Sequence, residues 1–275
     1  MAAVSTLRAP LLSTVFAKTL RDQRKALGWW ALGLSATVLM YAGFWPTIRD
    51  NAAQFNQYLD KMPEAFRNLL AGANYGTPAG YLQSELFAFL APVLFLVYAI
   101  GSGARAIAGE EEAGSLDLLL SAPVARRRVL LDKFWALLSG TFGLTVVMWL
   151  AVVVFGPMFD LRPDLANFTA ATLSAFLLAA AFGTVSLAVG CASGSKGLAI
   201  GAPSGVAVVT FVVNMLGPSV DWLKPWRLLS PFYYYAGHEP ILNGLESLHA
   251  IVLLATSVVA LGVALVTFER RDLAA

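Results

Sequence analysis

Side chains that could do chemistry are few in this chain and mostly lie apart. His238 and His249 are the only histidines, and Glu239 and Glu246 lie close to them in sequence. Those four residues could form a small metal site. They suit a solvated loop equally well, and the loop is the favoured reading. Cys191 is the only cysteine and cannot close an internal disulfide. A nucleotide-hydrolysing chain would need a GxxxxGK[ST] loop, whose backbone N–H groups cradle phosphates. That order is absent: Gly194-Ser195-Lys196-Gly197 has the right residue types in the wrong sequence, and Leu138-Ser139-Gly140-Thr141 falls inside an apolar run. No catalytic residue, metal ligand or cofactor of its own is therefore expected. An acidic stretch, Glu110-Glu111-Glu112, is followed by Gly114, Ser115, Leu116, Leu119 and Leu120, then Pro123 and Arg126-Arg127-Arg128.

The elements that position these residues are set by the solvent. Of the 275 residues 58% are hydrophobic and 13% charged, about half the charge of a soluble domain. The chain is thus built for lipid, and its net charge of +2 gives no reason to expect nucleic acid. A membrane helix needs about 20 apolar residues. Six stretches qualify, near 26–46, 86–104, 134–156, 170–192, 197–217 and 247–268, and none contains Asp, Glu, Lys or Arg. A charge at mid-membrane costs about 2.5–3.5 kcal/mol on insertion scales, so charge-free runs are what spans require. Residues 1–25 are mixed and basic, which does not suit a cleaved signal peptide.

Six spans put both ends of the chain on one side. Arg8, Lys18, Arg21, Arg24, Lys25, Arg105, Arg126, Arg127, Arg128, Lys133, Lys196, Arg270 and Arg271 fall there, against Arg49, Lys61, Arg67, Arg162, Lys224 and Arg227 opposite. The excess of positive charge predicts cytoplasmic termini. The expected fold is an all-α integral membrane protein, one domain over 1–275. Within it, residues 1–25 read as a helix lying on the inner leaflet before the first span, its apolar Leu11, Leu12, Val15, Phe16 and Leu20 interleaved with basic residues. The external loop 47–84 carries Phe55, Leu59, Met62, Phe66, Leu69 and Leu70 on helical spacing. This predicts an interfacial amphipathic helix broken at Pro63. The loop 105–133 is cytoplasmic. The external loop 218–246 is aromatic, with Trp222, Trp226, Phe232 and Tyr233–Tyr235 at headgroup depth.

Three local patterns each carry two readings. Glu110–Glu112 would lie near a helix start, where the dipole favours acid, with Leu116, Leu119 and Leu120 as its apolar side. The segment is then either a solvated acidic turn beside a basic lipid anchor (Arg126, Arg127, Arg128) or a docking helix for a soluble partner. Gly197, Gly201 and Gly205 form a GxxxGxxxG run, which lets helix backbones approach closely. Packing inside the chain is favoured there over a seam between two copies. Arg21, Arg24 and Lys25 are expected at the membrane surface.

The stretch AGEEEAGSLDLLLSAPVARRRVLLDK between the second and third spans resembles the permease subunit of type-2 ABC exporters, the ABC-2 type transporter permease family. Weaker pieces of the same resemblance are Gly80-Tyr81-Leu82, Leu228-Leu229-Ser230-Pro231-Phe232-Tyr233 and Phe268-Glu269-Arg270-Arg271-Asp272-Leu273. The resemblance implies two permeases, identical or not, each clasped by a separate cytoplasmic ATPase that uses ATP and Mg. Glu110, Glu111, Glu112, Gly114, Ser115, Leu116, Leu119 and Leu120 would form the coupling helix seated in that ATPase, and the N-terminal helix would connect to it. It further implies a cell membrane location and outward movement of a hydrophobic or amphipathic compound such as a drug, antibiotic or lipid. A non-transporting scaffold or assembly factor remains the alternative. A secondary carrier fits less well, because the spans hold no ionisable group.

Overall fold

The computed structural model describes residues 15–62, 75–116 and 124–271, and these are helical with no strand among them. Six helices are long and apolar enough to cross a membrane. They are α1 (Val15–Asp50), α2 (Leu90–Glu112), α3 (Arg126–Phe155), α4 (Leu165–Ser193), α5 (Lys196–Leu216) and α6 (Ser247–Arg270). All six expected spans are present; the runs 26–46 and 170–192 lie inside longer helices, whereas the run 86–104 begins before α2, which starts only at Leu90 after a break at residues 88–89.

α1 departs most from expectation. Its 36 residues extend about 54 Å at 1.5 Å per residue, well beyond a hydrocarbon core of about 30 Å. The described part of the expected surface helix is therefore not a separate element but an unbroken continuation of the first span. No Gly or Pro interrupts residues 15–25, so nothing in the sequence ends the helix there. Residues 1–14 of the expected surface helix lie outside the described residues.

The central element is α4, which touches α2, α3, α5 and α6. In its most apolar stretch 78% of residues are buried, against 17% for α1 and α5. Small residues explain how the backbones come so close. A Cβ on Gly103 of α2 would overlap the Gly183 carbonyl of α4, and one on Gly183 would stand 3.1 Å from Ala99. Ser186 Oγ lies 2.8 Å from both the Ile100 and the Ala199 carbonyl oxygens, tying α4 to α2 and α5. Such close backbone packing and interhelical polar contacts substitute for the hydrophobic drive that lipid removes.

At the face opposite the termini lies the described part of the helix expected in the first loop. It runs Ala52–Asp60. The chain turns at Lys61–Met62, before Pro63; Phe66, Leu69 and Leu70 lie outside the described residues. Phe55 stacks on Tyr75 at 5.8 Å between centroids. Tyr75 donates to Glu85 at 3.0 Å, and burial, then the Glu85 charge, pushes its phenol up to about 12. The aromatic loop divides its side chains. Trp222 and Trp226 point outward from the turn Asp221–Leu229, while Phe232 and Tyr235 are buried. Tyr235 donates to the Phe87 carbonyl at 2.7 Å.

Candidate functional site

At the termini-bearing face α2 does not stop at the apolar run. A wide turn, Arg105–Gly109, carries it on to Glu110–Glu112. Such π turns are uncommon and concentrate at functional positions. The three carboxylates thus sit at the C-terminal end of a helix, not at the helix start expected from the sequence. Gly114, with φ +66°, then turns the chain away. Carboxylates are disfavoured at this end by the helix dipole, so each must find a partner elsewhere, and each does.

Glu110 pairs with Lys133 of α3. Glu111 pairs with Arg271, which follows α6. Glu112 accepts the Lys196 N–H at 2.8 Å, at the first turn of α5, where the dipole favours negative charge. Arg271 also donates to the Cys191 carbonyl at the end of α4, at 3.2 Å. Arg126 in turn donates to the Arg271 carbonyl at 2.9 Å. Three consecutive acids therefore tie α2 to α3, to α5 and to the chain end beyond α6, while Arg271 brings in the end of α4. The Phe16 N–H points to the Asp132 carboxylate at 3.4 Å, bringing α1 to the same face. Beneath this clamp lies an apolar layer that includes Ile107, Leu130, Phe134, Leu187, Cys191 and Phe268. That layer keeps water away from Lys133, whose side chain is only 4% exposed.

Gly194 is part of the same construction. It ends α4 at φ +66°, a conformation glycine adopts readily. A Cβ there would also collide with the Arg271 guanidinium, so the position is closed for two reasons.

The expected site residues are only partly brought together. Glu110, Glu111 and Glu112 converge, but inward on their own chain. Leu116, expected on the apolar docking side, is 1% exposed and belongs to the layer beneath the clamp. Its side chain is already satisfied by its own bundle and offers nothing to a partner. Glu112, Gly114 and Ser115 are exposed, with Ser115 Oγ donating to the Glu110 carbonyl at 3.1 Å; Leu119 and Leu120 lie outside the described residues. Arg21, Arg24, Lys25, Arg127 and Arg128 are exposed, whereas Arg126 is engaged by Arg271.

Gly197, Gly201 and Gly205 also differ from the favoured reading. All three are exposed, and a Cβ on Gly201 or Gly205 would meet nothing within 4 Å. The glycines that join helices inside the chain are Gly103 and Gly183. On the opposite face, His249 Nε2 and His238 Nδ1 lie 3.3 and 3.6 Å from the same Glu246 oxygen. Among the described residues no group of three His, Cys, Asp or Glu is arranged to hold a metal ion.

Lys133 and Arg271 are the partners of the acidic triplet that sequence reading did not single out. Lys133 carries a weak signal, as a lysine seven residues into a long apolar helix. A further feature adjoins the clamp: a groove of about 560 Å³ between α2 and α5, bounded by Phe89, Phe211 and Phe232 at one end and Arg105 at the other.

Six membrane-length helices closed at one face by an inter-helix charge clamp describe a multi-pass membrane protein. No curated protein matches the chain in sequence. A family model described as ABC-2 family transporter protein matches residues 13–273, which takes in every span and the whole clamp. The chain accordingly belongs to the ABC-2 transporter family and is a membrane permease component of an ABC-type transporter.

Proposed function

We propose that this chain is the membrane subunit of an ATP-driven exporter, working with a second permease copy or homologue and with a separate ATPase. The termini-bearing face is cytoplasmic, in the cell membrane, as the excess of Lys and Arg on that side supports. The chain hydrolyses no ATP itself; ATP and Mg act in the partner. The cargo is a hydrophobic or amphipathic compound, as in efflux of a drug, antibiotic or lipid. The ATPase presses on the exposed turn Glu112–Ser115 and the segment that follows it.

The observation that carries this reading is the clamp. A push on the turn after Glu112 reaches α3 through Glu110–Lys133, α5 through the Lys196 N–H, and α4 and the end of α6 through Arg271. The three acids therefore couple one point of contact to four spans. Charge-assisted bonds of this kind are stronger and shorter than neutral ones.

The test separates contact from coupling. The full chain is expressed with the ATPase that co-purifies in mild detergent. Ser115→Trp, at an exposed position outside the ion pairs, should release that ATPase. Glu111→Gln should retain it but let ATP hydrolysis continue while transport falls. If no ATPase co-purifies, or if both variants transport like the parent, the reading is wrong.

A further inference from the structure

The groove between α2 and α5 has a polarity that its two walls do not share. On α2 the lining positions Phe89, Val93, Val97, Gly101 and Arg105 fall four residues apart, one ridge along one face. The facing wall on α5 includes Ser204 and Phe211. Rings close the end away from the termini. Phe211 lies 5.8 Å from Phe89 and 5.3 Å from Phe232, centroid to centroid. From Phe89 to Arg105 the groove rises about 24 Å, most of a hydrocarbon core of about 30 Å.

Arg105 is the one charged residue of the lining. Arg105 is exposed on the isolated chain. Its guanidinium folds back up α2, within 3.9 Å of where a Cβ on Gly101 would stand. Among the described residues no carboxylate lies within ion-pair distance of it. At the mouth of an apolar groove this exposed guanidinium supplies the one positive charge of the lining. Its planar fork matches carboxylate and phosphate oxygens two at a time. The volume is within the range of sites that enclose small ligands.

We propose that this groove takes a membrane-borne anionic amphiphile, its carboxylate or phosphate head on Arg105 and its hydrocarbon tail running up the groove to the Phe89–Phe211–Phe232 rings. That makes anionic amphiphiles the substrate class of the permease, a conclusion that rests on the exporter reading; the binding itself does not. Ser204 offers a hydroxyl within the apolar stretch, and no other charge competes with the head.

The experiment uses the full chain in mild detergent with its co-purifying partner. It is labelled with a diazirine-bearing palmitic acid and, in parallel, with the alcohol of the same chain length. The acid should label α2 and α5 peptides about tenfold more than the alcohol, a ratio appropriate to one charge-assisted contact. Arg105→Gln should bring the two probes to parity, and Arg105→Lys should give an intermediate ratio. Val208→Trp, placed at the exposed rim of the groove, should reduce labelling by both probes without changing the oligomeric state. Equal labelling of the parent by acid and alcohol overturns the proposal, as does labelling outside α2 and α5. A disulfide between copies through Val208→Cys, formed at the expense of labelling, assigns the groove to a second copy and also overturns it. Protection by millimolar inorganic phosphate alone overturns it in favour of a free anion. Failure to recover an ATPase would sink the exporter reading while leaving the labelling pattern intact, so the two can fail separately.

Discussion

Glu111 and Arg271, 160 residues apart in the chain, form an ion pair in which each side chain is about one-fifth exposed, at 21% and 23%. One Glu111 oxygen faces Arg271, and the other is buried with no hydrogen-bond partner among the described residues. Arg271 divides its guanidinium between this acid and the Cys191 carbonyl. Removing either partner strands the other.

For that pair, Glu111→Gln and Arg271→Gln should each lower stability by about 1.5–3 kcal/mol, the usual range for a hydrogen bond to a charged group. The double variant should fall short of the sum of the two. Denaturation in micelles, run as a four-member cycle, checks this. Additive losses would mean that the two side chains do not interact.

Lys133 and Glu110 should respond unequally. Lys133 is 4% exposed and Glu110 29%. Glu110→Gln leaves a buried ammonium without its counter-charge and should cost about 3 kcal/mol or more. Lys133→Met puts an apolar chain of similar length into an apolar layer and leaves Glu110 near water, so the loss should stay under about 1 kcal/mol. Comparing the two unfolding midpoints decides the matter, and equal losses would contradict the burial asymmetry.

At Gly194, substitution by Ala forces a Cβ into the left-handed region at a cost of about 1–2 kcal/mol and displaces the Arg271 guanidinium as well. The total loss should exceed that of Glu111→Gln. Placing Gly194→Ala in an Arg271→Gln background should reduce its penalty, because the collision disappears. The thermal midpoints of the three proteins report this directly.

Glycines of the two kinds should separate cleanly. Gly103→Ala drives a methyl into the Gly183 carbonyl and should cost about 1–3 kcal/mol. Ser186→Ala, which gives up its contacts to Ile100 and Ala199, should cost about 1 kcal/mol, typical for membrane helix contacts. Gly201→Ala meets open space and should leave the isolated chain within about 0.5 kcal/mol of the parent. Any larger effect of Gly201→Ala should appear in cross-linking between copies, not in the unfolding of one.

The spans were legible because lipid imposes a local rule: about twenty residues without charge. Such runs at 170–192 and 247–268 each fixed a helix to within a few residues of its observed end. Their continuation into polar sequence was less legible. In α1 nothing between Lys18 and Lys25 marks a stop, and the helix simply proceeds. The acidic triplet was read against the helix dipole, which places acid at helix starts. Here Lys133, Arg271 and the Lys196 N–H override that preference from distant parts of the chain. No local period encodes a pair 160 residues apart. Glycine spacing misled for a related reason. A GxxxG run says that a backbone can be approached and not by what; the close approaches fall instead at Gly183 and Ser186 of α4.

The order in which the clamp finds its partners follows from the numbering. Lys133 comes 23 residues after Glu110, the Lys196 amide 84 after Glu112, and Arg271 160 after Glu111. A growing chain therefore carries its three acids before their partners exist and satisfies them one at a time. The first is met when the third helix starts, the second when the fifth starts, and the last only when the sixth is finished. A fragment that stops after the fifth helix cannot form the Glu111–Arg271 pair and so cannot close the clamp.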